Sequence, residues 1–234
     1  MDYTGPKSNS FDNINTIIFD FDYTLADSSK GIIESINYAL KFLRFPGAPS
    51  QIIHRTVGLS LEDTFLNLVG HDYIAKREDF RKLFIKRADE VMADFTVLFE
   101  AVPQMIKLLK RKGISLAIYS TKFRYRIEAI LKREKLLNLF DIIIGWEDVS
   151  KPKPDPEGLL VIIKKLKSRP LNSIYVGDHV LDAETAKRAG IPFIAVLTGV
   201  TSEKEFRYWP VYKILKSLVD LPNLIFNSKG NLEK

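Results

Sequence analysis

The stretch Ile17-Ile18-Phe19-Asp20-Phe21-Asp22-Tyr23-Thr24-Leu25 places two carboxylates directly after a short apolar run. The run 16–19 predicts a buried parallel strand, because strands covered on both faces have continuous apolar sequences. Side chains just past the carboxyl end of such a strand lie where doubly wound sheets build ligand sites. Asp20 and Asp22 are therefore candidate catalytic residues, although an Asp-x-Asp pair alone is more often an ordinary turn.

Further strands are predicted by apolar runs rich in Ile and Val. The five predicted strands are 16–19, 114–119, 141–144, 173–176 and 193–196. Segments with apolar residues at helical spacing separate the later four, at 102–111, 124–133, 157–166 and 181–189. This alternation predicts an α/β domain with a right-handed, doubly wound parallel sheet. From residue 201 onward we expect a short helix, an edge strand near 211–214 and a closing turn at Leu221 and Pro222.

The segment between the first strand and the helix at 102–111 is far longer than one crossover needs. It has helical patterns at 32–43, 61–69 and 74–93 and no convincing strand. We therefore predict an inserted helical cap domain at 29–96, and a core domain made of 12–28 and 97–234. The hinges are expected near 27–30 and 95–100.

The composition is that of an ordinary globular protein, with 46% hydrophobic and 27% charged residues among 234. The absence of cysteine excludes disulfides and thiolate metal sites. The net charge of +6 comes from Lys and Arg scattered along helical segments, so no nucleic-acid partner is expected, while a basic surface suits a phosphate-bearing substrate. No apolar run approaches the ~20 residues that span a bilayer, and the polar N-terminus lacks a signal core. We expect no membrane partner and a cytoplasmic protein.

Other predicted strands also end in polar residues. Ser120 follows 114–119, and its hydroxyl can bind a phosphoryl oxygen or simply cap a helix. Lys151 and Lys153 alternate with prolines, which would hold a lysine ammonium in a fixed position beside a phosphoryl group. Both can equally be ordinary surface lysines. Asp178 and Asp182 follow 173–176 and offer the oxygen ligands that Mg²⁺ takes, although a loop and a first-turn helix residue explain them too.

The conjunction of these strand ends changes the interpretation, because each supplies one function that phosphoryl transfer needs. Of two paired carboxylates, one can attack phosphorus while the other protonates the leaving oxygen and later activates water. Chance convergence of all four strand ends is improbable. The sequence therefore favours a phosphohydrolase over an assortment of turns and caps.

From about residue 16 to 224 the chain resembles the haloacid dehalogenase superfamily, in its phosphatase branch with a helical cap after the first strand. The motifs that carry the resemblance are 20–25, Ser120, the Lys-Pro stretch and 177–182. The resemblance implies a Rossmann-like core and a Mg²⁺-dependent phosphatase that cleaves a small phosphorylated substrate, phosphoglycolate-like, through an aspartyl-phosphate. The resemblance implies that Asp20 is the nucleophile, that Asp22 is the acid and base, and that Ser120 and Lys153 are further catalytic residues. The implied substrate contacts are Thr24, Ser120, Thr121 and Lys153. The implied metal ligands are Asp20, Asp22 through its carbonyl, Asp178 and Asp182.

Two features depart from the family pattern. Tyr23 stands where relatives usually have glycine, which makes the loop bulkier beside the leaving group. Both Lys151 and Lys153 precede proline, and Lys153 is preferred because its spacing to Asp178 fits relatives better. In the cap, His54, Arg55 and Lys30 are candidate substrate contacts, and each can equally be a surface or hinge residue.

Several alternatives remain open at this point. A pyrophosphatase or a sugar-phosphate mutase of the same superfamily is possible, although such mutases carry an arginine in the cap turn where this chain has Gly58-Leu59-Ser60-Leu61. Dehalogenation is disfavoured, because that branch lacks the second aspartate and the metal. A phospho-acceptor signalling module would be about half this length and needs no cap. A monomer or a homodimer is expected.

Overall fold

A parallel sheet with β1 near its centre organises the computed structural model, which describes residues 11 and 13–226. The six strands of this sheet follow the spatial order β5, β4, β1, β6, β7, β8. The strands of the chain are β1 (Thr16–Phe19), β2 (Ala26–Asp27), β3 (Val97–Leu98), β4 (Ser115–Tyr119), β5 (Ile142–Ile144), β6 (Ser173–Gly177), β7 (Phe193–Val196) and β8 (Val211–Leu215). Residues 12 and 227–234 of the predicted core domain lie outside the described residues.

Helices cover both faces of the sheet, as the doubly wound prediction requires. The helices are α1 (Ser29–Phe42), α2 (Ser50–His54), α3 (Leu61–Val69), α4 (Arg77–Phe95), α5 (Val102–Arg111), α6 (Arg124–Arg133), α7 (Glu157–Lys165), α8 (Val180–Ala189), α9 (Glu203–Phe206) and α10 (Leu221–Phe226). Among the described residues, none of these helices is both long and apolar enough to cross a membrane.

Alternate residues of β1 pack into different layers of the core. Ile17 and Phe19 belong to the apolar cluster that includes residues of α5 and α6, whereas Ile18 belongs to the cluster formed with α7 and α8. All three side chains are completely buried. This arrangement follows from the two-residue period of a strand. The predicted α/β fold class is thereby confirmed.

The helices α1 to α4 form a separate apolar cluster. In the sequence they lie between β1 and β4, the next strand of the main sheet. The rings of Phe65 and Phe80 stack at its centre, 4.9 Å apart. At its base the chain leaves and re-enters the core through the antiparallel pair β2 and β3, with Ala26 opposite Leu98. The inserted all-helical cap is confirmed, whereas the exact domain boundaries stay a prediction.

The structure differs from the predicted elements mainly at short segments. The β2–β3 pair and α2 were not predicted, because two to five residues are too few to show a period. The helix expected at 74–93 begins later, at Arg77, after a 3₁₀ segment (His71–Lys76). The closing turn expected at Leu221 and Pro222 is the start of a short helix, α10.

The stacked pair in the cap gives a direct stability prediction. We expect Phe65→Ala to lower the free energy of unfolding by about 3–5 kcal/mol, because Phe65 is fully buried and its loss leaves a cavity. Phe42→Ala is the matched control, since Phe42 is 61% exposed on a cap helix and should change stability by less than about 0.5 kcal/mol. Denaturant unfolding of both variants measures the difference. Similar losses in both would contradict the assignment of Phe65 to the cap core.

Candidate active site

Three neighbouring strands of the sheet end at one site. The strands β1, β4 and β6 are adjacent and parallel, so their carboxyl ends lie at the same edge. Asp20 follows β1, Ser120 follows β4 and Asp178 follows β6. The backbone N–H of Asp20 donates to the carbonyl of Val176 at 2.8 Å, which continues the ladder up to the first carboxylate. Lys153 reaches the same edge from the loop after β5.

Three buried carboxylates and one ammonium form the centre of this site. Single oxygens of Asp20, Asp178 and Asp182 lie within 4.8 Å of one another. The Nζ of Lys153 lies 2.7 Å from Oδ1 of Asp20 and 2.7 Å from Oδ1 of Asp182. Three ionised carboxylates against one ammonium leave a formal net charge of −2. The structure therefore brings four of the predicted site residues together in one charge-deficient cluster, which we call the acidic cluster.

The electrostatics of the acidic cluster follow from burial. Burial raises the pKa of the Asp20 carboxyl to about 7, although the Lys153 ammonium beside it acts in the opposite direction. Burial and the carboxylates of Asp182 and Asp20 also raise the pKa of Asp178 well above its usual range. Burial opposes the charge on Lys153, but the two carboxylates raise its pKa on balance, so the ammonium stays charged.

A divalent cation fits this cluster on the chemistry of its donors. The formal net charge of −2 on the cluster is the charge that a divalent cation would neutralise. Carboxylate oxygens are also the hard ligands that Mg²⁺ prefers. Burial and mutual repulsion raise the pKa values of Asp20 and Asp178, and the charge of a bound cation would act in the opposite direction. The donor set therefore supports a metal site at Asp20, Asp178 and Asp182.

Neighbouring groups fix the orientation of these carboxylates. The hydroxyl of Thr24 donates to Oδ1 of Asp178 at 3.0 Å, and the hydroxyl of Tyr175 donates to Oδ1 of Asp182 at 2.9 Å. Gly177 and Gly199 leave the space they need, because a Cβ on Gly177 would overlap Asp182 and one on Gly199 would overlap Asp178. Thr24 was predicted as a substrate contact, and the structure places it against Asp178.

The side chain of Asp22 lies apart from the acidic cluster, in an ion pair that sequence reasoning missed. The Nζ of Lys122 lies 2.9 and 3.2 Å from the two carboxylate oxygens of Asp22, and the Ser28 hydroxyl donates to the same carboxylate. Only 3% of the Lys122 side chain is exposed, so its charge needs this partner. The available signal was its position, two residues beyond Ser120 at the same strand end.

The remaining predicted residues are placed as follows. Ser120 is buried, and its Oγ accepts the backbone N–H of Lys122 at 3.3 Å. Thr121 is half-buried and lines the pocket between cap and core. Lys151 is exposed, and its backbone N–H donates to Glu157. The structure thus places Lys153, and not Lys151, beside Asp20.

Comparison with known proteins identifies the family. The sequence profile of the haloacid dehalogenase-like hydrolases matches residues 17–196, which is most of the chain. The chain belongs to the haloacid dehalogenase-like hydrolase family. It is 30% identical to the pyrophosphatase PpaX of Bacillus mycoides over 93% of this chain and 99% of that protein. It is 29% identical to the phosphoglycolate phosphatase of Salmonella typhi, with 96% and 93% covered.

A solved structure carries the same fold. A Bacteroides fragilis protein described as a haloacid dehalogenase-like hydrolase superposes with a TM-score of 0.86 at 41% identity. The match covers 89% of this chain and 99% of that one. The expected membership in the haloacid dehalogenase superfamily, and with it the prediction of a hydrolase, is therefore confirmed.

Tyr23 gives this haloacid dehalogenase-like hydrolase a contact between the loop after β1 and the cap. Its backbone is left-handed, with φ of 58°, as expected for a position where glycine is usual. The ring is buried within the apolar cluster of the cap, and its hydroxyl hydrogen-bonds Nδ1 of His54. His54 therefore holds the loop that carries Asp22.

A pocket of about 160 Å³ lies between the cap and the core. Asp22, Thr121 and Lys122 line it on the side of the acidic cluster, and cap residues line the other side. The candidate contacts His54, Arg55 and Lys30 are not among its lining residues in the described part of the chain. Arg55 is exposed, and Lys30 lies over the ring of Phe95.

The contact between Thr24 and Asp178 predicts a role in cation binding. We expect Thr24→Val to weaken Mg²⁺ binding by about 10- to 100-fold, because groups that orient metal ligands have effects of this size. Thr24→Ser keeps the hydroxyl and is the matched control. Isothermal titration calorimetry of the three proteins gives the affinities. A Thr24→Val variant with unchanged Mg²⁺ affinity and altered substrate binding would instead favour a direct substrate contact.

Proposed function

We propose that this chain is a Mg²⁺-dependent phosphatase that cleaves a small phosphate ester through an aspartyl-phosphate on Asp20. The observation that carries the proposal is the Lys153 ammonium, held 2.7 Å from both Asp20 and Asp182 in a buried cluster of net negative charge. Such a point charge can offset both the nucleophilic carboxylate and the incoming phosphoryl oxygens. Two relatives that are phosphatases by name support the same reaction class.

The first chemical step joins Asp20 to phosphorus. A carboxylate oxygen of Asp20 attacks the phosphorus, the ester P–O bond breaks, and the leaving oxygen takes a proton from Asp22, which enters this step as the neutral carboxylic acid. Asp22 suits this role because it lies at the pocket wall, where the leaving group would be. The Lys122 ammonium and the Ser28 hydroxyl hold its carboxylate in place.

The second step returns Asp20 to its starting state. Asp22 takes a proton from a water molecule, whose oxygen attacks phosphorus and displaces the Asp20 carboxylate as inorganic phosphate forms. Ser120 and Lys153 are the groups proposed to hold the phosphoryl oxygens during both steps. Both are buried beside Asp20 at the sheet edge, where water competes poorly for these hydrogen bonds.

Mg²⁺ is the proposed cofactor. Asp20, Asp178, Asp182 and the main-chain carbonyl of Asp22 would hold it, and when bound it would neutralise the charge between Asp20 and the phosphoryl group. Mg²⁺ is favoured over a softer metal because the available ligands are carboxylate oxygens.

The expected partner is a small phosphorylated molecule. The names of the relatives make phosphoglycolate and pyrophosphate the first two compounds to test. We favour a phosphate monoester over pyrophosphate. The pocket beyond Asp22 is walled mainly by uncharged side chains, whereas pyrophosphate would place a second phosphoryl group there.

Asp20→Asn tests the nucleophile. We expect phosphate release from p-nitrophenyl phosphate with Mg²⁺ to fall to background, because an amide cannot attack phosphorus at a useful rate. Asp94→Asn, on the exposed surface of the cap, is the matched control and should retain activity. Chelation with EDTA should abolish the wild-type rate. Persistent hydrolysis in Asp20→Asn, or after exhaustive chelation, would refute the mechanism.

The two lysines of the Pro-rich loop give a paired test. Lys153→Ala should lower kcat/KM by roughly 10²–10³, the loss typical of one preorganised donor to a developing oxyanion. Lys151→Ala should change it only a few-fold, since Lys151 is exposed and salt screens its charge. Circular dichroism of both variants checks that the fold is retained. A large loss at Lys151 with little at Lys153 would reverse the assignment.

A further inference from the structure

The shape and charge of the pocket between cap and core determine which leaving group it can bind. This inference rests on the proposed phosphatase function. Beyond Asp22 and Lys122, the pocket wall is dominated by apolar side chains from both domains. The residues that define this apolar wall are Ile36, Leu59, Phe84, Met92, Phe123 and Trp146. An alcohol released from phosphorus at Asp20 would leave toward this wall, because Asp22 is the proposed proton donor.

Every charged residue that lines the pocket has an ion-pair partner within this chain. Each cation on the wall lies within salt-bridge distance of a carboxylate, and the acidic Glu62 lies beside an arginine. The pairs are Asp22 with Lys122 at 2.9 Å, Asp89 with Arg126 at 2.7 Å, Glu78 with Arg81 at 3.0 Å and Glu62 with Arg77 at 3.3 Å. A second anionic group on the substrate would therefore meet cations that already serve carboxylates of this chain.

Two of these pairs are well shielded from solvent on the cationic side. Lys122 and Arg126 have side chains only 3% and 5% exposed, so each of these cations depends on its carboxylate partner for charge compensation. Arg81 differs, because its side chain is 43% exposed and solvent weakens its pair with Glu78. Arg81 is therefore the cation that an anionic substrate could recruit most easily, and it needs its own test.

The size of the pocket limits the leaving group. Its volume of about 160 Å³ is close to the roughly 150 Å³ of an apolar protein cavity that binds benzene. A two-carbon carboxylate such as glycolate would fill only part of this space. An apolar group of five or six carbon atoms would fill it and displace water from the wall.

We propose that the preferred substrate is a phosphate monoester of an uncharged, mainly apolar alcohol of about benzene size, rather than an ester whose leaving group carries a carboxylate or a second phosphate. The apolar wall supplies the affinity for the alcohol, and the compensated ion pairs select against a second anion. The acidic cluster and Lys153 act on the phosphoryl group alone.

A matched pair of esters tests the proposal. Pentyl phosphate and its analogue with a carboxylate in place of the terminal methyl have the same carbon count and leaving alcohols of similar acidity. We expect kcat/KM to favour pentyl phosphate by about 10- to 100-fold, because the cations of the wall already serve carboxylates of this chain and the apolar wall does not solvate a charge. Equal values, or a preference for the carboxylate, overturn the proposal.

Variants of the wall sharpen this test. Leu59 is half-buried on the wall, so Leu59→Arg adds a cation with little disturbance and should narrow or reverse the preference. Leu59→Gln adds polarity without charge, and should slow pentyl phosphate without improving the carboxylate ester. An unchanged ratio in Leu59→Arg would show that this wall does not contact the leaving group and would overturn the proposal.

Arg81→Gln tests the remaining cation. The proposal expects the ratio of the two esters to stay as in the wild type, since Arg81 serves Glu78 and not the substrate. A wild-type preference for the carboxylate that disappears in Arg81→Gln would identify Arg81 as a binding residue for an anion. That result would overturn the proposal.

A binding measurement separates the failure of this proposal from failure of the proposed phosphatase function. Pentylphosphonate and its carboxylate-ended analogue are not hydrolysed, and calorimetry with wild-type protein and Mg²⁺ gives their affinities. Tighter binding of pentylphosphonate without turnover of either ester supports the pocket assignment and counts against the phosphatase. Turnover of both esters with tighter binding of the carboxylate supports the phosphatase and overturns the pocket assignment.

Discussion

The ammonium of Lys153 between Asp20 and Asp182 is the interaction on which the geometry of the site depends. It joins the loop after β5 to the end of β1, which carries Asp20, and to the first turn of α8, which carries Asp182, with 2.7 Å contacts on both sides. The rings of Tyr119 and Tyr175 lie 5.2 and 5.3 Å from its Nζ and keep water away. Desolvation offsets much of the attraction in a buried ion pair. The main effect of the two Lys153 contacts is therefore to fix the three segments that they join in one arrangement.

The position of the cap depends on a different set of contacts, made by α6 of the core. Arg126 and Tyr125 both donate to Oδ1 of Asp89 on α4, and Arg133 donates to the carbonyl of Thr96. Asp89 is 45% exposed, so solvent can compete for these bonds far better than for those of Lys153. The charges of the acidic cluster are therefore shielded from water, whereas the contacts between α6 and the cap exchange with water more easily.

Much of this organisation was readable from the sequence, because it depends on local patterns. Apolar runs and helical spacing predicted the sheet and the inserted cap, and polar residues just after the strands predicted Asp20, Ser120 and Asp178 at one edge. What was missed depends on contacts between distant segments. Lys122 becomes significant only where the cap hinge brings Ser28 to the same carboxylate, and no spacing rule encodes that meeting.

The reaction class was easier to infer than the substrate, because the residues of the acidic cluster lie near strand ends whereas the pocket wall depends on how the cap helices pack. Each charged group of the acidic cluster follows or flanks a core strand, where topology alone brings side chains together. The pocket wall is instead built mainly from three cap segments, namely α1, the turn that precedes α3, and α4. No local sequence pattern predicts how these segments pack against one another. Substitutions in the cap can therefore change the pocket wall without altering the charges of the acidic cluster. A fold of this kind can keep one chemistry while its substrate range varies, because the acidic cluster lies in the core whereas most of the pocket wall comes from the cap.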